Sequence, residues 1–576
     1  MQFKRTLSLV LTAAIAAPAA AQSPGAGPQG DPSSAEVLAR HVADLGTGAL
    51  RTGALDDPAT WAHAATLFAA ASRLDPREPR YWKGQAEARR HAGDVDAAVR
   101  ALVAYRDPQR GNRPGEPVAM IALLDLYAGR IQSADERLKY FKQLLAEPSI
   151  SDREVRSHVA TLAAQLYFER SQFKDAADTV FQAIQLNPLN AAALRLQHDM
   201  IAARDGTPLE RARNLLAMLR VNPAQVDVAI ELADLLADAG LVRPALDWYA
   251  FVRDLAPKAD AQLTRSFAVR YAAELYLADQ HDAADGLAGQ LLEADPSDVD
   301  ALMLRLIARR GRSSPADYAA LLQTARAALR GRVVQFARTG PTTQPAEPLA
   351  GDLPDLTADV DNLATSGDER QRYATASALA DLAWFELYFA RQPGDAAPLV
   401  ELVAKLLPPD SVLLARLRGW QFVAQGRNDE ARVKLSAVAD RDPLAAMGLA
   451  RAASADPATR ADASGVGRAA LAAHPAGLIG AVLWDGLKDF AFQRMVGPQA
   501  DAVLDEVNAF DRRVLQIVDN PSAFYNVRGE PTQGAFAYNE PIYARVTVAN
   551  TSDFPLAVGP GGVIRSDLWF DGELAG

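Results

Sequence analysis

The sequence predicts a mostly α-helical protein, a right-handed α-solenoid of helical hairpins with a small β segment at its C-terminus. The first observation is a recurring pattern of a small residue, a large apolar residue four positions later, a small residue three later and then Pro. It first occurs at Ala64, Phe68, Ala71 and Pro76. Related sets follow at Ala176, Val180, Ala183 and Pro188; at Ala245, Tyr249, Val252 and Pro257; at Ala284, Ala288, Leu291 and Pro296; and at Ala431, Leu435, Val438 and Pro443.

A repeat of about 34 residues is typical of stacked helical hairpins, in which each hairpin buries its apolar face against the next. The second observation is that the apolar period changes from 3.6 to 2 near the C-terminus, which indicates strand. The 49% hydrophobic and 23% charged fractions are those of a folded soluble protein. Such a stack is usually a binding surface and not a catalyst.

The N-terminus predicts a signal peptide over residues 1–21. Lys4 and Arg5 form a basic start, Leu7 to Ala17 is an apolar stretch, and small residues at 19–21 precede a cleavage site before Gln22. An uncleaved membrane anchor is the alternative, but the apolar stretch is shorter than the about 20 residues that a bilayer requires. We therefore expect a periplasmic or secreted protein. It has no Cys, so disulfides and acylation of a cysteine are excluded.

The chain after the signal peptide divides by composition. Residues 22–33 are predicted to form a flexible leader, 34–336 the first helical solenoid, and 357–520 a second helical block. Between the two blocks, residues 337–356 have the Pro-rich composition of an extended, poorly packed linker. The linker either separates two solenoids or is a surface excursion within one.

Residues 521–576 are predicted to be rich in β-strand. Asn520 and Pro521 end the helical period, and the alternation of Ile542, Ala544, Val546 and Val548 with polar residues indicates a half-buried strand. Further short strands are expected at 556–558 and 566–570. Because so few strands rarely stand alone, we expect an incomplete β-sandwich, with docking on the last helices as the alternative.

The best hairpins resemble the tetratricopeptide repeat (TPR), a helix-turn-helix unit of 34 residues. In the unit that begins near Trp82, Ala86, Gly93, Ala98 and Leu102 stand at the family's positions. Four other units match in part, with these residues: Ala164 and Tyr167 before Pro188; Leu232, Ala233 and Gly240 before Pro257; Gly419, Phe422 and Gly426 before Pro443; and Ala122, Gly129, Ala134, Leu138 and Phe141 without a Pro. Small residues let the two helices cross closely, and Gly supplies the positive φ of the turn.

The resemblance implies that the first helix of each hairpin lines a concave face and contacts a ligand. Aligned by register, the expected binding residues are Arg80, Lys83, Arg90, His158, Gln165, Phe168, Asp234 and Asp238. Aromatic and Arg side chains are frequent in binding hot spots, which favours Phe168 and the basic cluster. The alternative is an ordinary solvated helix face. The Lys, Asn and Arg set with which the family clamps a peptide carboxylate cannot be assembled here.

Other classes of function find little support in the sequence. A net charge of −11 argues against nucleic-acid binding, which requires a basic surface. The seven His residues show no metal-binding spacing, and a glycine-containing string at 465–470 follows no strand, so we expect no cofactor, no metal and no enzyme activity. The prediction is an exported scaffold that binds a protein or an extended peptide. The alternatives are an accessory of cell-envelope or exopolysaccharide assembly, and an arm that presents substrate to a catalytic domain absent from this chain.

Overall fold

The computed structural model describes residues 33–54, 56–105, 117–148, 150–341, 346–365, 368–456, 458–488, 496–531, 544–558 and 561–564. The predicted signal peptide, and the leader up to residue 32, lie outside these residues. Contacts between residues divide the chain into two compact units. Unit 1 comprises Met1–Ala224 and Asp511–Gly576, and unit 2 comprises Gln225–Phe510.

Unit 1 contains consecutive helices that pack as antiparallel hairpins. Its helices are α1 (Ser34–Thr52), α2 (Pro58–Leu74), α3 (Pro79–His91), α4 (Val95–Tyr105), α5 (Pro117–Arg130), α6 (Ala134–Ala146), α7 (Arg153–Glu169), α8 (Phe173–Leu186), α9 (Ala191–Ala203) and α10 (Pro208–Val221). The odd-numbered helix of each pair is called the first helix of its hairpin. The predicted solenoid of TPR-like hairpins is thus the observed architecture.

Local sequence explains where these helices begin. At α1 the Ser33 hydroxyl accepts from the backbone N–H of Glu36, whose carboxylate accepts from the N–H of Ser33. Thr207 and Glu210 form the same capping box at α10. Each box satisfies N–H groups that a helix start leaves unpaired, and typically contributes about 1 kcal/mol.

The turn of a hairpin requires one residue with positive φ. Gly93 supplies it between α3 and α4 with φ +81°, as the sequence predicts. Ser171 takes this position between α7 and α8, where no Gly is available. The prediction that Gly129 is a turn glycine is wrong, because Gly129 lies inside α5.

The core of unit 1 depends on small side chains. Ala160, Ala164, Ala176 and Ala183 are completely buried where α7 and α8 cross. A larger side chain at any of them would separate the helices, and overpacking of this kind typically costs about 1–3 kcal/mol.

The C-terminal part of unit 1 contains an antiparallel two-stranded sheet. Strand β1 (Tyr525–Pro531) pairs with β2 (Ala544–Asn550), with Tyr525 opposite Asn550. In β2, Val546 and Val548 are half-buried and Thr547 is exposed, which confirms the predicted alternation over these residues; Ile542 lies outside the described residues. β1 was not predicted, since Arg528, Gly529 and Glu530 interrupt its apolar pattern. At 556–558 there is only an isolated bridge from Val558 to Ile564; the strand predicted at 566–570 lies outside the described residues.

Unit 2 contains the remaining long helices. They are α11 (Val226–Asp238), α12 (Val242–Leu255), α13 (Arg265–Leu277), α14 (His281–Ala294), α15 (Val299–Arg309), α16 (Pro315–Thr339), α17 (Thr357–Thr365), α18 (Glu369–Phe385), α19 (Pro393–Leu406), α20 (Val412–Ala424), α21 (Asn428–Ser436), α22 (Pro443–Ser454), α23 (Arg460–Ala473), α24 (Gly477–Leu487) and α25 (Ala500–Ala509). One turn of π-helix, Glu386–Ala390, extends α18. Helices α11, α13 and α15 are the first helices of the hairpins that they form with α12, α14 and α16.

The segment predicted as a linker packs closely against α16. In residues 346–356, the strap segment, Ala346 and Leu356 are buried, and the N–H of Leu349 donates to the carbonyl of Ala327 at 2.8 Å. The expectation of poor packing is therefore wrong for the strap segment. The contact division at 224/225 and 510/511 also differs from the predicted boundaries, because helices on both sides of the strap segment pack together in unit 2.

Gly331 in α16 makes room for the strap segment. A Cβ at this position would overlap the carbonyl oxygen of Glu347. We therefore expect Gly331→Ala to lower the free energy of unfolding by about 1–3 kcal/mol. Gly289→Ala in α14, where a Cβ meets no atom within 4 Å, is the control and should raise it by about 0.5–1 kcal/mol. Urea denaturation of both variants measures these changes in the free energy of unfolding. A change of the same sign in both variants would contradict the prediction.

Candidate binding surfaces

The basic residues predicted on α3 are only partly available to a ligand. Nε and Nη2 of the Arg80 guanidinium donate to the Glu78 carboxylate, at 2.8 and 3.0 Å, so Glu78 neutralises the positive charge of Arg80. Lys83 is half-buried, whereas Arg90 is exposed. The ring of His91 beside it stacks on Trp61 of α2, with centroids 4.1 Å apart. The three basic residues therefore do not form one cationic site.

The residues predicted on α7 have three different environments. His158 Nε2 lies 2.6 Å from the carboxylate of Asp125 on α5, which joins two consecutive first helices. Gln165 is exposed, and its amide donates to Glu169 at 3.1 Å. Phe168 is half-buried and meets Phe173 edge to face, with centroids 5.8 Å apart. Gln165 and Glu169 thus form the open polar part of this face.

Asp234 and Asp238 on α11 are brought together by one cation. Arg270 of α13 pairs with Asp234 at 2.9 Å and with Asp238 at 2.7 Å. The hydroxyl of Tyr249 also donates to Asp234. Burial raises the pKa of Asp234 above its usual value, and Tyr249 and Arg270 offset only part of that increase. Both carboxylates therefore hold α13 against α11, so the arrangement favours a structural role for them.

The same arrangement recurs at the next pair of first helices. Arg265 of α13 pairs with Asp298 at 2.5 Å and with Asp300 of α15 at 2.6 Å. Asp298 is buried and also caps α15 through the N–H of Ala301. The partners in these ion pairs between successive first helices are about one repeat apart in the sequence; Arg265 and Asp298, for example, are separated by 33 residues. These ion pairs fix the register of successive hairpins.

A buried polar cluster that the sequence did not predict surrounds Asp485 of α24. Its fully buried carboxylate accepts from Tyr276 at 3.0 Å, Tyr388 at 2.9 Å, Arg310 at 2.6 Å and Lys488 at 2.9 Å. The guanidinium of Arg310 also lies over the Tyr388 ring, 4.6 Å from its centroid. We call these five residues the Asp485 cluster. A single acidic residue in the apolar stretch 477–487 was the available signal.

Helix α24 covers first helices of its own unit. It packs against α13, α15 and α22, and all residues of α13 from 271 to 277 are buried. Glu274 on α13 is completely buried, and its Oε1 accepts from the N–H of Gly477 at the start of α24, at 2.9 Å. A carboxylate at a helix N-terminus also stabilises the helix dipole. This part of unit 2 is therefore filled by the chain itself.

Asp381 of α18 is a half-buried carboxylate with a perturbed pKa. Burial raises its pKa to about 6, although Arg332 and Arg416 act in the opposite direction. Because the pKa of Asp381 is higher in the folded protein than in the unfolded chain, the protonated carboxyl favours the folded state. Its contribution to the free energy of unfolding is complete below about pH 4 and is lost as the pH rises through 6.

We therefore expect Asp381→Asn to stabilise the protein at neutral pH. The gain in free energy of unfolding should be on the order of 2–3 kcal/mol at pH 7.5 and close to zero at pH 4, given about 1.4 kcal/mol per pKa unit. Thermal denaturation across this pH range measures it. Asp505→Asn, at an exposed position of α25, is the control. A gain that does not change with pH would contradict the prediction.

An open groove lies between α16, the strap segment, α18 and α19. Its volume is about 530 Å³. Its lining includes Leu353, Leu382 and Leu399 together with Asp355, Asp395 and Glu401. None of the residues predicted as binding residues lies in this groove.

Two features that would indicate other classes of function are absent from the described residues. Within the described ranges, no helix is long and apolar enough to cross a membrane. Among the same residues, no group of three or more His, Cys, Asp and Glu is arranged to hold a metal ion.

No family model and no curated protein matches the chain. Among solved structures, yeast Tom70 is similar at 11% identity and a TM-score of 0.30, over 84% of this chain and 99% of that one. The Cut9–Hcn1 hetero-tetramer of APC/C is similar at 13% identity and a TM-score of 0.28, over 85% and 91%. A tetratricopeptide repeat protein from Parabacteroides merdae is similar at 11% identity and a TM-score of 0.18, over 65% and 98%. Scores this low specify no shared ligand or partner.

Proposed function

We propose that this protein is a non-enzymatic scaffold that binds another protein or an extended peptide through the first helices of unit 1. The observation that carries the proposal is the contrast between two first helices. On α7, Gln165 and Glu169 are exposed beside the half-buried Phe168, whereas α13 is buried over two turns beneath α24. The open face combines polar side chains with an aromatic edge, a composition that suits protein recognition.

Site-specific photo-crosslinking in the full-length chain, in cells of its native host, tests this proposal. A photoreactive residue at Gln165 should give a discrete covalent adduct with one partner. The control carries the same residue at Gln182, an exposed position of the second helix α8. Equal adducts from both positions, or no adduct from Gln165, would contradict binding at this face.

We also propose that the protein is exported to the periplasm or secreted. The support is the basic start at Lys4 and Arg5, the apolar stretch from Leu7 to Ala17 and the small residues at 19–21. Fractionation with N-terminal sequencing tests this. A mature protein that begins at Gln22 outside the cytoplasm is expected, and a cytoplasmic protein that retains Lys4 would contradict export.

A further inference from the structure

The groove between α16, the strap segment, α18 and α19 has an apolar floor. Leu353 and Leu402 are half-buried there, and Pro354 and the exposed Pro398 present rigid rings beside them. The accessible leucine and proline side chains provide apolar surface that an extended chain can bury, and a deep cavity is not needed for this. An extended segment that is already in the polyproline II conformation loses little entropy on binding, which favours such a segment on an open surface of this kind.

The charges around this floor are unbalanced. The exposed carboxylates of Asp355, Asp395 and Glu401 line the groove, and none of them forms a salt bridge with a described residue. Hydrogen bonds from Thr357 lower the pKa of Asp355, so it is ionised at neutral pH. Three negative charges thus line the groove without a salt bridge.

The positively charged residues of the lining are engaged elsewhere. Lys405 pairs with Asp361 at 2.7 Å, and Arg330 donates to the carbonyl of Gly351 at 2.8 Å. The fourth carboxylate of the lining, Glu386, is neutralised by Arg326 at 2.6 Å. Arg330 keeps its positive charge and Lys405 also lowers the pKa of Asp355, but neither of them forms a salt bridge with Asp355, Asp395 or Glu401.

The spacing of the Asp395 and Glu401 carboxylates along α19 restricts which cationic partner fits the groove. Asp395 and Glu401 are six residues apart, a rise of about 9 Å along the helix axis, and they leave the axis in directions that differ by about 120°. Side chains three residues apart in a polyproline II segment are separated by about 9 Å along that segment, since each residue advances about 3.1 Å, so they match the axial part of the carboxylate spacing.

We propose that this groove binds an extended, proline-containing segment of another protein that carries Lys or Arg side chains three residues apart. The leucines and prolines of the floor contact the apolar positions of that segment, and Asp355, Asp395 and Glu401 pair with its cations. This surface lies on unit 2 and is separate from the first helices of unit 1, so each proposal stands or fails without the other.

Fluorescence anisotropy with the full chain tests the groove. The probe is a labelled peptide of sequence PLKPLKPL, and the comparison peptides are PLEPLEPL and PKKPLLPL. We expect saturable binding of the first peptide, no binding of the acidic one, and weaker binding of the one in which the two Lys are adjacent. Glu401→Lys should lower the affinity for PLKPLKPL at least about tenfold, because it replaces an attraction between opposite charges by a repulsion between like charges at short distance.

Asp410→Lys is the matched control, since it makes the same change of net charge at an exposed position just beyond α19 and outside the lining. It should alter the affinity less than about twofold. Asp395→Lys provides a second groove variant, and circular dichroism verifies that each variant is folded. The proposal is overturned if Asp410→Lys weakens binding as much as Glu401→Lys, if the probe does not bind at millimolar concentration, or if spermidine competes as well as unlabelled PLKPLKPL.

Discussion

Replacing Asp485 by Asn is expected to lower the free energy of unfolding by about 3–5 kcal/mol, the usual result of removing one partner from a buried ion pair. The carboxylate is fully buried and compensates Arg310 and Lys488. Asn keeps the size of the side chain but not its charge, so both cations would stay beside α24 with no counter-ion. Chemical denaturation of the full chain measures the change.

The control for this prediction is Asp505→Asn, the same substitution at an exposed position of α25. It should change the free energy of unfolding by less than about 0.5 kcal/mol, as is usual for surface substitutions. Equal stability of the two variants would show that the Asp485 cluster does not hold α24 in place.

The second large effect is expected at the ion pair between Arg326 of α16 and Glu386 in the π-helical turn. Both side chains are less than 10% exposed, and the two bonds measure 2.6 and 2.7 Å. Glu386→Gln would remove the counter-charge and one of the two acceptor oxygens, so the guanidinium would be left with amide oxygens alone, those of Gln323 and Gln392 and the one at position 386. We expect a loss of about 3–5 kcal/mol in the free energy of unfolding.

The exposed pair of Arg427 and Glu430 offers a matched control, since it is also a two-pronged Arg–Glu contact. Glu430→Gln should cost less than about 1 kcal/mol, because water solvates the charges that remain. The double variant Arg326→Met with Glu386→Leu should recover most of the stability that Glu386→Gln loses, since no charge stays buried. Failure of the double variant to recover would contradict an electrostatic origin.

Much of the fold could be predicted because its signals are local. The small residue at Gly419 allows α20 and α21 to cross, since a Cβ there would overlap Leu435, and both residues belong to one predicted hairpin. Gly426 likewise has the positive φ that the turn after α20 requires. Spacing within about 34 residues determines such contacts, so periodicity alone reveals them.

The candidate binding residues could be placed on their helices but not assigned a role. The register puts Asp234, Asp238 and His158 on first helices, as the structure confirms. It does not show that Arg270 and Asp125 already pair with them. Each of these charged groups would be available to a ligand if its repeat stood alone, but it pairs with a residue of a neighbouring repeat. Which residue becomes the partner depends on how two hairpins pack.

The sequence by itself determined the hairpins, the turns at Gly93 and Gly426 and the alternation in strand β2, because each follows from side chains a few residues apart. Only the tertiary structure decided how α24 covers α13, how the strap segment packs on α16 and which carboxylates form no salt bridge. Tyr276 and Asp485 are 209 residues apart, and no local period links them. Contacts of this kind depend on how distant helices of unit 2 pack together, so no local pattern in the sequence reveals them.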